Sequence, residues 1–167
     1  MAQFLEFPLA YHLTFGTYGT RLHGDERGTV SRAHNRFGEP IIGRDADWER
    51  IEQSQLKFPP VVLTGDQQRQ IEQVLPEICN RGGWEYHIAA GQPDHVHVML
   101  TSPNDGKAIR KWLKTWLGQA LSTRWPLAPG QTWWAEGGSV RFIWNDAYLA
   151  NVFEYIRAQR TTPLNPK

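Results

Sequence analysis

The chain has 167 residues and a formal charge of +1, from 18 Lys and Arg against 17 Asp and Glu. That balance counts against a strongly basic coat that binds nucleic acid without discrimination, although local clustering can still make a charged footprint. The length predicts one domain over 1–167 with its own core. No apolar run is long enough to cross a bilayer, and Met1 to Glu6 lack the basic start of a secretory signal, so a cytoplasmic protein without a membrane partner is expected. Cys79 is the lone cysteine, which excludes an internal disulfide.

Along the chain, Ala10 to Tyr18 alternate as a strand, with Tyr11, Leu13 and Phe15 on one face and His12, Thr14 and Gly16 on the other. His12 points toward the face that matters below, but a lone strand histidine is more often simply packed. From about 19 to 60 the periodicity disappears and arginines, among them Arg21, are mixed with glycines; a short helix over Asp45 to Gln55 is the one element expected there. Two readings of this stretch stay open, a flap that brings arginines to phosphates and a solvated surface insertion. Ile71, Val74, Leu75 and Ile78 then form one helical stripe behind Asp66 as N-cap, with Pro76 expected to kink the helix and Gly82 and Gly83 to end it.

Trp84 to Ala89 reads as a second strand, and a short turn leads to Asp94, His95, Val96, His97, Val98, Met99 and Leu100. On a strand, Val96, Val98 and Leu100 face one way and His95, His97 and Met99 the other. Two imidazoles on one face are close enough to share a cation.

Lys107 to Trp125 is the clearest helix, with Ile109, Trp112, Leu113, Trp116, Leu117 and Leu121 as its apolar stripe. Lys107, Arg110, Lys111 and Lys114 share another side, readable as a phosphate-binding strip or as an ordinary solvated face. Thr132 to Ala135 and Ser139 to Trp144 look like strand segments, the second carrying Arg141, a further candidate for DNA contact. Asn145 or Asp146 caps a last helix running to Arg160, on which Tyr155 and Gln159 lie one turn apart on the same face. Strand, helix, strand, strand, helix, strand predicts an α+β fold, a ferredoxin-like split βαβ with a central antiparallel sheet and one extra C-terminal helix. Helices would cover the valine face, leaving the histidine face open for substrate with the last helix against its edge.

His-hydrophobic-His on a strand, followed by Tyr155, Ile156 and Gln159 on a helix, resembles the single-tyrosine transposases of small bacterial insertion sequences and their relatives associated with repetitive extragenic palindromes. Tyr11 to Tyr18 is similar to that family's first strand and Trp134 to Arg141 to its late hairpin. The resemblance implies Tyr155 as nucleophile and His95, His97 and Gln159 as ligands of a divalent ion, Mg²⁺ or Mn²⁺, although this donor set would also accept zinc, nickel or cobalt. It implies single-stranded or hairpin DNA as partner, a 5′-phosphotyrosine intermediate and strand transfer, and a homodimer for the insertion-sequence enzymes. Phenols are mostly protonated at neutral pH, so the nucleophile needs a nearby cation or base.

Each signal is weak alone. His-x-His is common, a third alternate histidine is replaced by Met99, and helical tyrosines usually pack. Together and in order they are much stronger. Tyr148, seven residues before Tyr155, is a rival nucleophile, but Val152 stands where its glutamine would be. Two competing functions use the same residues: a noncatalytic DNA-hairpin-binding module, and a phosphodiesterase that activates water.

Overall fold

The computed structural model describes residues 7–20 and 56–164. Arg21 and the expected helix over Asp45 to Gln55 lie outside the described residues. In chain order the elements are β1 (Ala10–Gly16), α1 (Gly65–Gly82), β2 (Glu85–Gly91), β3 (His95–Thr101), α2 (Gly106–Arg124), β4 (Ser139–Ile143) and α3 (Asp146–Ala158).

The four strands pair in the order β2-β3-β1-β4, every neighbouring pair antiparallel. Each helical crossover therefore joins two strands that have a third between them, which is the ferredoxin-like split βαβ arrangement the pattern predicts. The two central strands, β1 and β3, carry the strongest alternation and are set in register with Leu13 opposite Val98, Thr14 opposite His97 and Phe15 opposite Val96.

The apolar face of this pair meets α1 and α2. Leu13, Phe15, Val96, Val98 and Leu100 join Ile71, Leu75 and Ile78 of α1 and Ile109, Leu113, Leu117 and Leu121 of α2 in one buried cluster. Helix spacing explains the choice, because those residues recur every three to four positions. Trp112, placed by the sequence on the same stripe, is exposed and instead lies against Trp116, with ring centroids 5.2 Å apart.

Local chemistry refined several boundaries. The N-cap of α1 is Thr64 rather than Asp66: its hydroxyl accepts from the Gln67 amide at 3.2 Å, and the Gln67 side chain accepts from the Thr64 amide at 2.9 Å. Asp66 falls in the first turn, where it pairs with Arg69. The expected kink at Pro76 does not break the helix, since α1 runs as a single helix through it, with Pro76 on the exposed side. Thr132 to Ala135 is not a strand. It touches the end of β1 through a single bridge between Thr17 and Trp134, because Trp133 and Trp134 turn inward to the core.

A larger correction concerns the histidine face. That face is not left open with α3 at its edge: α3 packs across part of it, where Val152 and Ile156 are buried with Ala10, Ile88, Ala90, Met99 and Ile143. The sheet is thus covered on both faces. Among the described residues, the end of this face that carries the histidines, together with Arg141 of β4, stays accessible.

The start of α3 is capped locally, and the segment past its end is tied to this body. Asn145 caps its start, accepting from the Tyr148 amide at 2.8 Å. Beyond its end, the buried carboxylate of Glu72 on α1 accepts from the amides of Thr161 and Thr162, both at 2.8 Å, and from that of Gly91 on β2 at 3.0 Å. A Cβ at Gly91 would stand 2.9 Å from the Gln68 carbonyl oxygen, so this strand end approaches α1 as only glycine allows. Replacing Glu72 by Ala strands three donors, two of them on the segment that follows α3. Urea unfolding should show Glu72→Ala losing about 3 kcal/mol and Glu72→Gln, which keeps one acceptor oxygen, clearly less.

Candidate active site

Three strands and one helix build a cavity of about 500 Å³ at the accessible end of the histidine face. From β1 come His12 and Thr14, from β3 His95 and His97, from β4 Arg141, and from α3 Tyr148, Asn151 and Tyr155. The antiparallel register decides this grouping, since Thr14 lies opposite His97 and His12 is paired with Arg141 across the sheet. Helical spacing does the rest, because positions 148, 151 and 155 fall on one side of α3.

The two strand histidines face each other. His95 Nε2 and His97 Nε2 are 3.0 Å apart, with the rings nearly perpendicular. Asp94 Oδ1 stands 2.6 Å from His95 Nδ1 and turns the other nitrogen of that ring into the cavity. His12 Nε2 lies 3.0 Å and Thr14 Oγ1 3.1 Å from His97 Nδ1. Burial, reinforced by the Arg141 guanidinium, lowers the pKa of His12 to about 4, so its ring is uncharged at neutral pH.

Tyr155 projects from α3 over these rings. Its ring meets His97 edge-on at 5.6 Å between centroids and His12 at 6.3 Å, yet it is 55% exposed. A phenol that is held at its base by imidazoles and open at its rim can be reached by a substrate. Tyr148 lines the same cavity, half-buried against the apolar cluster beneath α3.

Gln159 sits elsewhere. It is the C-cap of α3, one residue past the last helical position, and its carbonyl accepts from the Gln92 side chain; it does not line the cavity. Among the described residues no cluster of three or more His, Cys, Asp or Glu side chains stands ready to hold a metal.

The basic strip of α2 is on the other side of the sheet. Lys107, Arg110, Lys111 and Lys114 line a groove of about 1120 Å³ together with the segment that leads to β4. Two of the four are struts of that segment. Lys114 Nζ donates to the carbonyls of Ala135 and Gly137, both at 2.7 Å, and Arg110 donates to that of Gly138 at 2.9 Å. Gly138 has φ of +128°, and a Cβ there would come within 2.3 Å of the Thr14 carbonyl oxygen, so the turn presses on β1 beside the histidine face. Burial, followed by the like charge of Arg110, lowers the Lys114 pKa. Lys107 and Lys111 remain exposed.

Comparison with known proteins bears on the identity of this site. The sequence model described as "Transposase IS200 like" matches residues 57–159, which include β3, β4 and α3 with His95, His97, Arg141 and Tyr155. The chain belongs to the IS200-like transposase family. The family match starts after β1, so His12 and Thr14 lie outside it. A crystal structure of a candidate transposase from Deinococcus radiodurans R1 superposes with a TM-score of 0.53 at 18% identity, covering 97% of this chain and 98% of the other. At that identity the likeness concerns the fold. No curated protein matches the chain.

His12 is the residue that sequence reasoning undervalued. Its signal was present, a histidine on the same strand face as Thr14, but the pairing of β1 with β3 is what carries it to His97. The strut role of Lys114 predicts that Lys114→Met loosens the turn before β4: about 1–2 kcal/mol of stability should be lost on removing two charge-assisted bonds at this half-buried site. Limited proteolysis should then cut near Gly137, where the parent resists.

Proposed function

We propose that this transposase-family chain is a metal-dependent endonuclease and strand transferase acting on single-stranded DNA, near hairpins, through a covalent bond to Tyr155. The observation that carries the reading is the convergence of the Tyr155 phenol, the facing His95 and His97 nitrogens and the Arg141 side chain in one open cavity.

In the proposed reaction the Tyr155 oxygen attacks the scissile phosphorus as its phenolic proton passes to solvent, from which the leaving oxygen takes one. The bond from phosphorus to the 3′-oxygen breaks, and that oxygen departs as a 3′-hydroxyl. A 5′-phosphotyrosine remains. Since a phosphodiester is exchanged for a phosphodiester, a second 3′-hydroxyl can reverse the step and join the strand to a new end. Arg141 is placed to hold non-bridging oxygens of the phosphate as charge builds on them. A strand without a paired partner can lie across the 55%-exposed phenol most easily.

The donor set suits a divalent ion. Adjacent ligands about 2.1 Å from an octahedral ion lie about 3.0 Å from each other, and the two imidazole nitrogens have that separation. His95 and His97 would hold Mn²⁺ or Mg²⁺ from the cavity, whereas the Gln159 amide, expected as third ligand, lies outside it at the end of α3. Such an ion supplies Lewis-acid polarisation of the phosphate when bound.

Incubation with end-labelled hairpin DNA and Mn²⁺ should yield an adduct that survives denaturing electrophoresis and is absent with Tyr155→Phe. An adduct that persists in this variant would transfer the role to Tyr148, and cleavage without any adduct would replace the tyrosine mechanism by water attack. Binding without cleavage on varied hairpins would instead make the chain a DNA-binding module.

For the groove on α2, the exposed Lys107 and Lys111 are the candidates to meet phosphates. Replacing both by Ala should reduce the slope of log affinity against log salt by about 1.4–1.8, at roughly 0.7–0.9 for each phosphate that is no longer neutralised. An unchanged slope would leave these lysines as a solvated face.

A further inference from the structure

We propose that His12 is the positioning residue of His97: it accepts the Nδ1 proton of that imidazole and so presents the Nε2 lone pair to the cavity. This inference rests on the reading of His95 and His97 as metal ligands.

A neutral imidazole has one N–H and one lone pair, and only the unprotonated nitrogen can bind a cation. Ligand histidines therefore need a partner for the opposite nitrogen. At His95 the Asp94 carboxylate does this, 2.6 Å from Nδ1. At His97 the Nδ1 atom faces His12 Nε2 at 3.0 Å and Thr14 Oγ1 at 3.1 Å. A hydroxyl can turn to donate or accept, so Thr14 supports either tautomer. His12 is fixed in place, and it accepts from His97 as the tautomer that carries its own proton on Nδ1. It is 8% exposed, held between the sheet and the Tyr155 ring, with its own ring 5.1 Å from that of His97.

The tautomer matters because of the 3.0 Å separation of the two Nε2 atoms. Two lone pairs at that distance repel unless a proton or a cation lies between them. If His97 carries its proton on Nε2, it donates to His95 and closes the pair to a metal. With the proton on Nδ1, donated to His12, both Nε2 lone pairs can converge on one ion. Asp94 and His12 thus orient the two imidazoles from opposite sides, one with a carboxylate and the other with a neutral ring.

The test is Mn²⁺ titration by calorimetry on the full chain and on His12→Phe, His12→Gln and His97→Ala, without DNA. Phe keeps the ring's bulk and cannot accept, while the Gln amide oxygen can occupy the place of Nε2. His12→Phe should weaken Mn²⁺ binding about 10–100-fold, with His12→Gln restored to within a few-fold of the parent. In ¹⁵N-labelled, Zn²⁺-loaded protein, a ¹⁵N–¹⁵N coupling across the hydrogen bond should connect His97 Nδ1–H with His12 Nε2, a readout available even if His12→Phe does not fold.

Parent-like binding by His12→Phe, or equal losses in Phe and Gln, would overturn the positioning role while leaving the ligands in place, provided His97→Ala still loses binding. Absence of that coupling in the loaded protein would also overturn it. If His97→Ala binds Mn²⁺ like the parent, the ligand assignment itself fails and the inference falls with it.

Discussion

The pairing of β1 with β3 is the constraint on which the rest depends. Residues far apart in the chain are brought side by side, with Leu13, Phe15, Val96 and Val98 on one face and His12, Thr14, His95 and His97 on the other. Because strand side chains alternate, a slip of one residue would bury the imidazoles under α1 and α2 and expose the valines. Core and cavity are two sides of one register. The apolar burial that stabilises the sheet therefore also holds the histidine geometry.

On this frame α3 has two duties that oppose each other. Val152 and Ile156 fasten it to the sheet, whereas Tyr155, between them in sequence and turned aside, must stay reachable. Helical periodicity reconciles the two, since neighbouring residues point in different directions. The Glu72 carboxylate anchors the chain just past the end of α3, while Asn145 caps its first turn. A buried acid on α1 thereby contributes to the precision of a site it does not touch.

Charge is divided in a similar way. Arg141 faces the cavity and adds to burial in depressing the basicity of His12, while Lys114 and Arg110 are used to brace the turn that leads to β4. A cluster of cations in sequence is thus partly structural scaffolding. Such bonds to backbone carbonyls leave less freedom to follow a phosphate backbone, which is why the exposed Lys107 and Lys111 are the better candidates for that contact.

The sequence by itself determined the fold class, because the alternation of β1 and β3 and the helical stripes of α1 and α2 are local patterns that survive into the tertiary structure. It also determined which residues could carry chemistry, since the His95 and His97 pair and the spacing of Tyr155 are visible in short windows. Tertiary structure alone decided the rest. That α3 covers part of the histidine face follows from Val152 and Ile156 meeting Met99 and Ile88, contacts between distant segments that no periodicity reveals. The same holds for His12 reaching His97, for Gln159 lying at a helix end away from the cavity, and for Lys114 bonding to Ala135 and Gly137. Periodicity specifies which way a side chain faces along its own element; what it faces is set by how the elements pair.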